Sequence, residues 1–561
     1  MSFPRKQHIT ELAEIAYQKG VHHAVISPGS RNAPLINAFL RQGKIKCHSI
    51  VDERSAAFYA LGMAQQTGKP VALISTSGTA VLNYAPALTE AFYQQLPLIA
   101  ITADRPVEWI DQQDNQTIRQ NSIYTNYIKK SFQLPQETKS ETDIWHSQRI
   151  VSEALNMALQ GPSGPVHLNI PLEEPLYDSS QYKSNGSPKL ISVSHSEQIL
   201  PEEEMKLLSR QWNESNRKMI ICGQQKKHET LNKLINALAE DPSVVVIAEN
   251  LSNQYNEAFI DKPDQVLAGM KDPDSLVPDL IITFGGPVVS KRLKLFLRSH
   301  KPSAHWRIDP ETHHYDTYQR LTKIIAVKPV KFFEQLTQHI VNQGDYRYRK
   351  AWAELQSHTL NLHQTFLQKA AFSDLKVFEI LLKKIPETGY LHLGNSSPVR
   401  YTQFFASKPM VNYYANRGTS GIDGCLSTAA GAAMISNKML HTVILGDLSF
   451  VYDSNALWNK NLPDNLRIVV INNQGGGIFR MINGPSETEG FSEFFETQHP
   501  VSIRKLTEAF GLQYFVAEDE KSLNAGLDEL FRQQKAALLE VHTPCETSAV
   551  LYKNYLNFLK E

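Results

Sequence analysis

The chain has 561 residues, room for three or four domains at roughly 150 residues each, and its 57 Lys+Arg balance its 57 Asp+Glu. That balance removes the global field that draws a protein onto nucleic acid or an anionic membrane, and no apolar run reaches the roughly 20 residues that span a bilayer. Four cysteines (Cys47, Cys222, Cys425, Cys545) stand far apart, with no CxxC and no neighbouring histidine cluster, which argues against structural zinc or a disulfide framework and suits a reducing cytoplasm. The opening stretch MSFPRKQHITELAEIAYQKG lacks the apolar segment and cleavage pattern of a signal peptide. A cytoplasmic α/β protein is expected.

In chain order, an amphipathic helix over 9–19 leads into a strand in HAVISPGS, and a helix opens near Asn32. A strand over 46–51, a helix over 54–66, the strand VALIST, a helix over 80–94 and the strand LIAITADRP follow, closed by GPVHLNIPLEEP. Strands separated by helices of this length predict a parallel sheet covered on both faces. Residues 174–200 are polar, without sustained period, and read as a linker. A Rossmann-like series then runs MIICG, VVVIAEN, LIITFGG, HWRIDP and IIAVKP. A helical stretch over 345–372 connects to a third unit: GYLHLGNSS, MVNYYANRG, a Gly/Ala-rich helix over 427–435, TVILGD, RIVVINN and AALLEVHTP. The expected architecture is three doubly wound parallel-sheet α/β domains, over 1–180, 201–345 and 346–561, with a linker over 181–200.

In open α/β sheets ligands lie beyond the carboxyl ends of the strands. Those loops here read SPGSRNAPL, VDERSAAF, STSGTAVLN, TADRP, LGNSSPVR, NRGTSGIDG, GDLSF and NNQGGGIF. Two of them form a pattern. An apolar run stops at Gly446-Asp447, and a later β-branched run stops at Asn472-Asn473, before three glycines. Mg²⁺ takes six oxygens in near-octahedral array and combines carboxylate, neutral oxygens, water and substrate phosphates. Asp447 would give the carboxylate, Asn473 the amide oxygen and Gly475 a carbonyl, with the glycines letting the backbone approach a diphosphate. Taken alone, the same pairs also describe ordinary turns at strand ends.

With all these loops in view, the chain resembles the thiamine-diphosphate-dependent enzymes, whose domain order is pyrimidine-binding, central, then diphosphate-binding. Within them it is similar to the 2-succinyl-5-enolpyruvyl-6-hydroxy-3-cyclohexene-1-carboxylate synthase branch of menaquinone biosynthesis. The phrases SPGSRNAPL, DERSAAFYALGMA, TSGTAVLN, TADRP, NQTIRQ, NRGTSGIDG, GDLSFVYD and NNQGGGIF carry the likeness and cover both outer domains. The central domain adds its position and SKRL (290–293). Leu448 departs from the Gly-Asp-Gly of the wider superfamily and matches the leucine of the menaquinone branch.

The resemblance implies thiamine diphosphate with Mg²⁺ or Mn²⁺, and Glu53 as the catalytic carboxyl that favours the imino tautomer of the aminopyrimidine. Glu53 follows an apolar strand, where partial desolvation raises a carboxyl pKa; it equally reads as a glutamate near a helix N-cap. Cofactor contacts are implied at Glu53, Ser396, Ile422, Gly446, Ser449, Asn473 and Phe479, with Ser449 and the LGNSS loop as diphosphate donors; Ile422 and Phe479 also read as core residues. The implied reaction decarboxylates 2-oxoglutarate and adds the succinyl-semialdehyde carbanion to isochorismate. Both substrates are dicarboxylates, which guanidiniums bind bidentately. The matched loops offer Arg31, Arg105, Arg400 and Arg417, with Ser30, Gln116 and Ser396 as neutral donors and Lys291 and Arg292 from the central domain. A homodimer or homotetramer with active sites between subunits is implied. His22-His23 precedes its strand and reads as structural, and the absence of histidine from the matched loops fits a cofactor that supplies the acid–base nitrogen. The alternatives are another thiamine-diphosphate carboligase or 2-oxoacid decarboxylase, and a catalytically silent cofactor-binding scaffold.

Overall fold

The computed structural model describes residues 6–177, 187–194, 196–341, 345–436, 438–482 and 484–561; residues 181–186 and 195 of the expected linker lie outside these. Three sheets, every neighbouring pair parallel, organise the chain. The first contains β1 (His23–Ile26), β2 (Lys46–Ser49), β3 (Val71–Ser75), β4 (Leu98–Asp104), β5 (Ser131–Gln133) and β6 (Val166–Pro171), in the order β2-β1-β3-β4-β6-β5. The second contains β7 (Lys218–Cys222), β8 (Val244–Ala248), β9 (Leu280–Phe284), β10 (Ala304–Ile308) and β11 (Lys323–Ile325), ordered β11-β10-β9-β7-β8. The third contains β12 (Gly389–Leu393), β13 (Val411–Tyr414), β14 (His441–Gly446), β15 (Leu466–Asn472), β16 (Gln513–Ala517) and β17 (Ala537–His542), ordered β13-β12-β14-β15-β17-β16. Central strands such as β4 and β15 are buried along their whole length, as expected of parallel strands covered by helices on both faces.

The helix expected over 80–94 is two, Thr79–Leu82 and Ala85–Gln94. Pro86, in the first turn of the second, has no N–H to continue the hydrogen-bond ladder, and Asn83 Nδ2 folds back onto Thr79 O at 3.1 Å. The strand expected over 46–51 ends at Ser49, because Asp52 accepts from Ser55 N–H at 2.8 Å and starts the helix Glu53–Thr67. The edge strands β5 and β16 and the helix Glu141–Leu159 have no counterpart among the expected elements.

The first and third sheets meet through one helix from each, Glu53–Thr67 and Cys425–Ile435. An ideal Cβ on Gly62 would lie 1.9 Å from Thr428 O, and one on Gly431 would lie 2.1 Å from Tyr59 O, so two glycines facing backbone permit this close crossing. Tyr59 OH donates to Ala456 O at 2.7 Å. Across the same junction Glu90, 1% exposed, accepts from Gly418 N–H at 2.7 Å and from Thr419 N–H at 2.6 Å.

Candidate active site

Strands β14 and β15 are adjacent, with Gly446 in register with Ile471, so Asp447 and Asn472-Asn473 emerge side by side at the carboxyl edge. Asp447 is buried; its Oδ1 accepts from Leu448 N–H and its Oδ2 from Gly475 N–H, both at 2.7 Å. Burial pushes its pKa up to about 6 against the pull of those two bonds and of His499. A buried carboxylate in that condition is short of positive charge, as the place of an absent cation should be. Asn472 turns away, giving Nδ2 to Glu540 at 2.6 Å and accepting from Gln474 N–H at 3.0 Å. Asn473 gives Nδ2 to Asp374 at 3.2 Å, and among the described residues nothing donates to its Oδ1. Gly475, at φ +143°, is required: a Cβ there would lie 2.4 Å from Glu496 O. Its carbonyl accepts from Gly477 N–H at 3.0 Å and keeps a second lone pair. Gly446, at φ −80°, is not required by its backbone, and nothing lies within 4 Å of its ideal Cβ. That glycine leaves open space beside Asp447. Carboxylate, amide oxygen and carbonyl around a cleared volume fit Mg²⁺ with a diphosphate.

Around this pair, Ser449 Oγ donates to Ile422 O at 2.8 Å. That bond ties the Gly-Asp loop to the 416–424 loop. Ile422 is half-buried and belongs to none of the apolar core clusters. Ser396 adopts φ +72°, ψ −122° at the cap of the helix Ser397–Thr402, a conformation that costs a non-glycine residue and is found preferentially at functional loops. Phe479, half-buried, meets Phe495 edge-on at 5.9 Å.

Glu53 opens its helix rather than ending a strand. Burial raises its carboxyl above the ordinary range, and neighbouring Asp52 adds to the shift. Its neighbours are tied to the third domain of the same chain: Asn455 Nδ2 donates to Asp52 at 2.7 Å, and Arg54 donates to Tyr452 O at 2.6 Å while stacking on that ring.

The arginines fall into two groups carried by different domains. Arg31 is buried, gives Nη1 to Leu172 O at 3.0 Å and lies 3.4 Å from Glu174. Burial first, then the Arg105 charge, pulls its pKa down. Arg105 pairs with Asp114, and its buried Nε has no partner among the described residues. Gln116, at φ +59°, exchanges bonds with Ser77 at 3.0 and 3.2 Å; Ser30 is exposed beside Arg31. In the second group, burial and then Arg400 pull Arg417 down. Arg417 gives Nη1 to Asn395 at 2.9 Å and leaves its buried Nε without a partner. Arg400 is half-buried on the helix Ser397–Thr402. Lys291 and Arg292 occupy the first turn of Lys291–His300, which holds no acidic residue. Cations there oppose the helix dipole and gain nothing locally. Glu249 fixes this helix start, accepting from Val289 and Ser290 N–H at 2.6 Å each.

Three side chains at the site or at the domain junction escaped the reading from sequence. His499 lies with Nε2 3.6 Å from Asp447 Oδ2, so a histidine does border the site; it sits 26 residues beyond Asn473, in a loop with no motif. Glu90, in a helix interior, reads as a surface charge, and Asp374 as a helix-start residue. His23 bonds His48 at 3.1 Å at the opposite end of β1.

Family models match along the chain: Thiamine pyrophosphate enzyme, N-terminal TPP binding domain, over residues 10–123; Middle domain of thiamine pyrophosphate over 185–393; and Thiamine pyrophosphate enzyme, C-terminal TPP binding domain, over 394–541. The middle match runs through β12, which pairs with β13 and β14 and so belongs structurally to the third sheet. Relatives named 2-succinyl-5-enolpyruvyl-6-hydroxy-3-cyclohexene-1-carboxylate synthase include one from Desulfotalea psychrophila, 44% identical over 91% of this chain and 93% of its own. Those from Flavobacterium psychrophilum and Flavobacterium johnsoniae are 42% and 41% identical, each over 100% of both chains. The chain thus belongs to the 2-succinyl-5-enolpyruvyl-6-hydroxy-3-cyclohexene-1-carboxylate synthase family of thiamine-diphosphate enzymes.

Proposed function

We propose that this enzyme uses thiamine diphosphate and Mg²⁺ or Mn²⁺ to join 2-oxoglutarate, with loss of CO₂, to isochorismate by 1,4-addition, giving 2-succinyl-5-enolpyruvyl-6-hydroxy-3-cyclohexene-1-carboxylate for menaquinone. The observation that carries the substrate reading is that Arg105 and Arg417, two of six arginines whose buried Nε–H groups have no partner among the described residues, both stand on loops that follow sheet strands at the ligand edge. An unmet buried donor on an arginine at the ligand edge suits an anion, and these two would serve dicarboxylate substrates. Arg31 and Arg105 would hold one carboxylate region, with Ser30 and Gln116 as neutral donors. Arg400 and Arg417 would hold another, joined by Lys291 and Arg292.

Asp447, Asn473 Oδ1 and the Gly475 carbonyl would hold the metal, and the space beside Gly446 would take the diphosphate. Ile422 and Phe479 would pack against the rings, and the strained Ser396 loop would close the diphosphate end. Bound thiamine diphosphate supplies a carbon that stabilises the negative charge left by decarboxylation. Glu53, its pKa raised by burial, would hold a proton against the aminopyrimidine ring. We further read the domains as 1–180, 201–345 and 346–561, the enzyme as a cytoplasmic homodimer or homotetramer, and its sites as shared between subunits. Among the described residues no helix is long and apolar enough to cross a membrane.

The test is CO₂ release from carboxyl-labelled 2-oxoglutarate with and without isochorismate, with the adduct followed by mass spectrometry. Adduct formation dependent on isochorismate is expected. Equal use of pyruvate with no adduct would remove the synthase reading in favour of a general decarboxylase.

A further inference from the structure

A side-chain amide has an oxygen end and a nitrogen end of nearly the same shape, so its hydrogen-bond partners decide which way round it sits. Asn473 can serve a metal only with its oxygen. Asp374, 1% exposed at the start of the helix Asp374–Lys384, settles this choice. Its Oδ2 accepts from Asn473 Nδ2 at 3.2 Å. Its Oδ1 accepts from Thr543 Oγ1 at 2.6 Å and Ser548 Oγ at 3.3 Å, while its own N–H donates to Ser548 Oγ at 3.0 Å. A carboxylate only accepts, so the end of Asn473 that faces it is the NH₂, and Oδ1 points the other way. Thr543 is itself fixed, its N–H bonded to Asn472 O at 3.0 Å. Gly477 keeps the amide's place clear, since a Cβ there would lie 2.7 Å from Asn473 Nδ2.

We propose that Asp374 is a positioning residue, which fixes the Asn473 amide with its oxygen toward the metal carried by Asp447. The inference rests on the metal reading above and deepens it. Partners that orient a metal ligand typically matter 10–100-fold in metal affinity.

The experiment uses the full-length enzyme stripped with a chelator. Thiamine diphosphate is held constant, Mg²⁺ is titrated, and cofactor binding is read by calorimetry. Asp374→Asn, whose amide satisfies Asn473 in either orientation, is expected to raise the Mg²⁺ needed for half-saturation by about tenfold or more. Asp374→Glu, which keeps an acceptor, should recover part of the loss. In an Asn473→Ser background the hydroxyl oxygen needs no orienting, and Asp374→Asn should add less than about twofold. Circular dichroism and metal-free melting report folding. If Asp374→Asn does not fold, Thr543→Val loosens the carboxylate and should raise the requirement about threefold. A folded variant with the wild-type Mg²⁺ requirement, or an equal loss in the Asn473→Ser background, would overturn the inference while leaving the metal site standing. Wild-type cofactor binding indifferent to the metal would overturn both.

Discussion

The first and third sheets have the same strand order, 2-1-3-4-6-5 counted within each unit, yet their equivalent loops carry different chemistry. After the first strand stand Ser30 and Arg31 in one unit, Ser396 and Arg400 in the other. After the second stand Glu53 and, opposite it, Arg417 and Ile422. The third strand leads into Thr76-Ser77-Gly78 in the first unit and into Asp447 in the other, and the fourth ends at Asp104 before Arg105 in one and at Asn472 before Asn473 in the other. The third unit thus places hard oxygens at its central strand ends. The first unit has its carboxyl after the edge strand β2, on a helix, and turns the Asp104 carboxylate back into a bond with Asn169 at 2.8 Å. Fold supplies equivalent positions, and under the proposed function the loop residues would decide which copy holds the metal and which handles the proton.

Breaking the proton-handling copy should have the largest effect. Glu53→Gln keeps the helix start, capped by Asp52, and leaves the proposed metal ligands Asp447, Asn473 and Gly475 untouched. Turnover and exchange of the thiazolium C2 proton should fall by about 10²–10⁴-fold, with thiamine diphosphate and Mg²⁺ binding retained by calorimetry. Retained turnover would remove Glu53 from this role and with it the division between the copies. A smaller effect is expected from Arg31→Lys and Arg417→Lys, which keep the charge but lose the planar fork. Each should raise KM for a dicarboxylate about tenfold, some 1.4 kcal/mol, and the two variants should differ in which substrate suffers. Steady-state kinetics with each substrate varied in turn would show it; the same substrate affected equally by both would mean that the two arginine groups are not separate.

Much of this was readable because parallel strands and loops write strong local signals. Buried β-branched runs such as those ending at Leu445 and Ile471 mark central strands, and the residue after each run is placed at the ligand edge by topology alone. Asp447 and Asn473 stand at that edge for this reason, whereas Glu53, after the half-exposed edge strand β2, and the arginines of the loops are singled out through the family resemblance. What stayed hidden depends on tertiary pairing across long separations. Glu90 reaches Gly418 across 328 residues, and Asp374 reaches Asn473 across 99. No periodicity encodes such a meeting, and each carboxylate looks like an ordinary helix residue. The bond from the Ser449 hydroxyl to Ile422 O is of the same kind, joining two loops that are apart in the sequence. The edge strands β5 and β16 escaped because they are only partly buried and show no sustained apolar run.

The smallest predicted effect concerns how the two paired helices are started. In Glu53–Thr67 the N-cap residue Asp52 accepts from Ser55 N–H. In Cys425–Ile435 the cap is Gly424, and the carboxylate comes from elsewhere: Asp453, fully buried, accepts from Ser427 N–H at 2.7 Å and from Ser427 Oγ at 2.5 Å. Burial pushes the Asp453 pKa up to about 7; the two Ser427 bonds and Arg54 oppose the shift, while Asp423 adds to it. A carboxyl raised in the folded state holds a proton that the unfolded chain has already lost. Its contribution is therefore fully present below the unfolded pKa of about 4 and is lost as pH rises through about 7. Asp453→Asn removes that dependence and keeps an oxygen for Ser427 N–H. Between pH 4 and pH 7 the wild-type melting temperature should fall relative to that of the variant, by a few degrees in a chain this long. Turnover at fixed pH should stay within about twofold, since the amide keeps an acceptor for the Ser427 N–H that starts the helix. Parallel melting curves across that range would show that the third unit's borrowed carboxylate is ionised throughout, and that the two helices are started by equivalent charges after all.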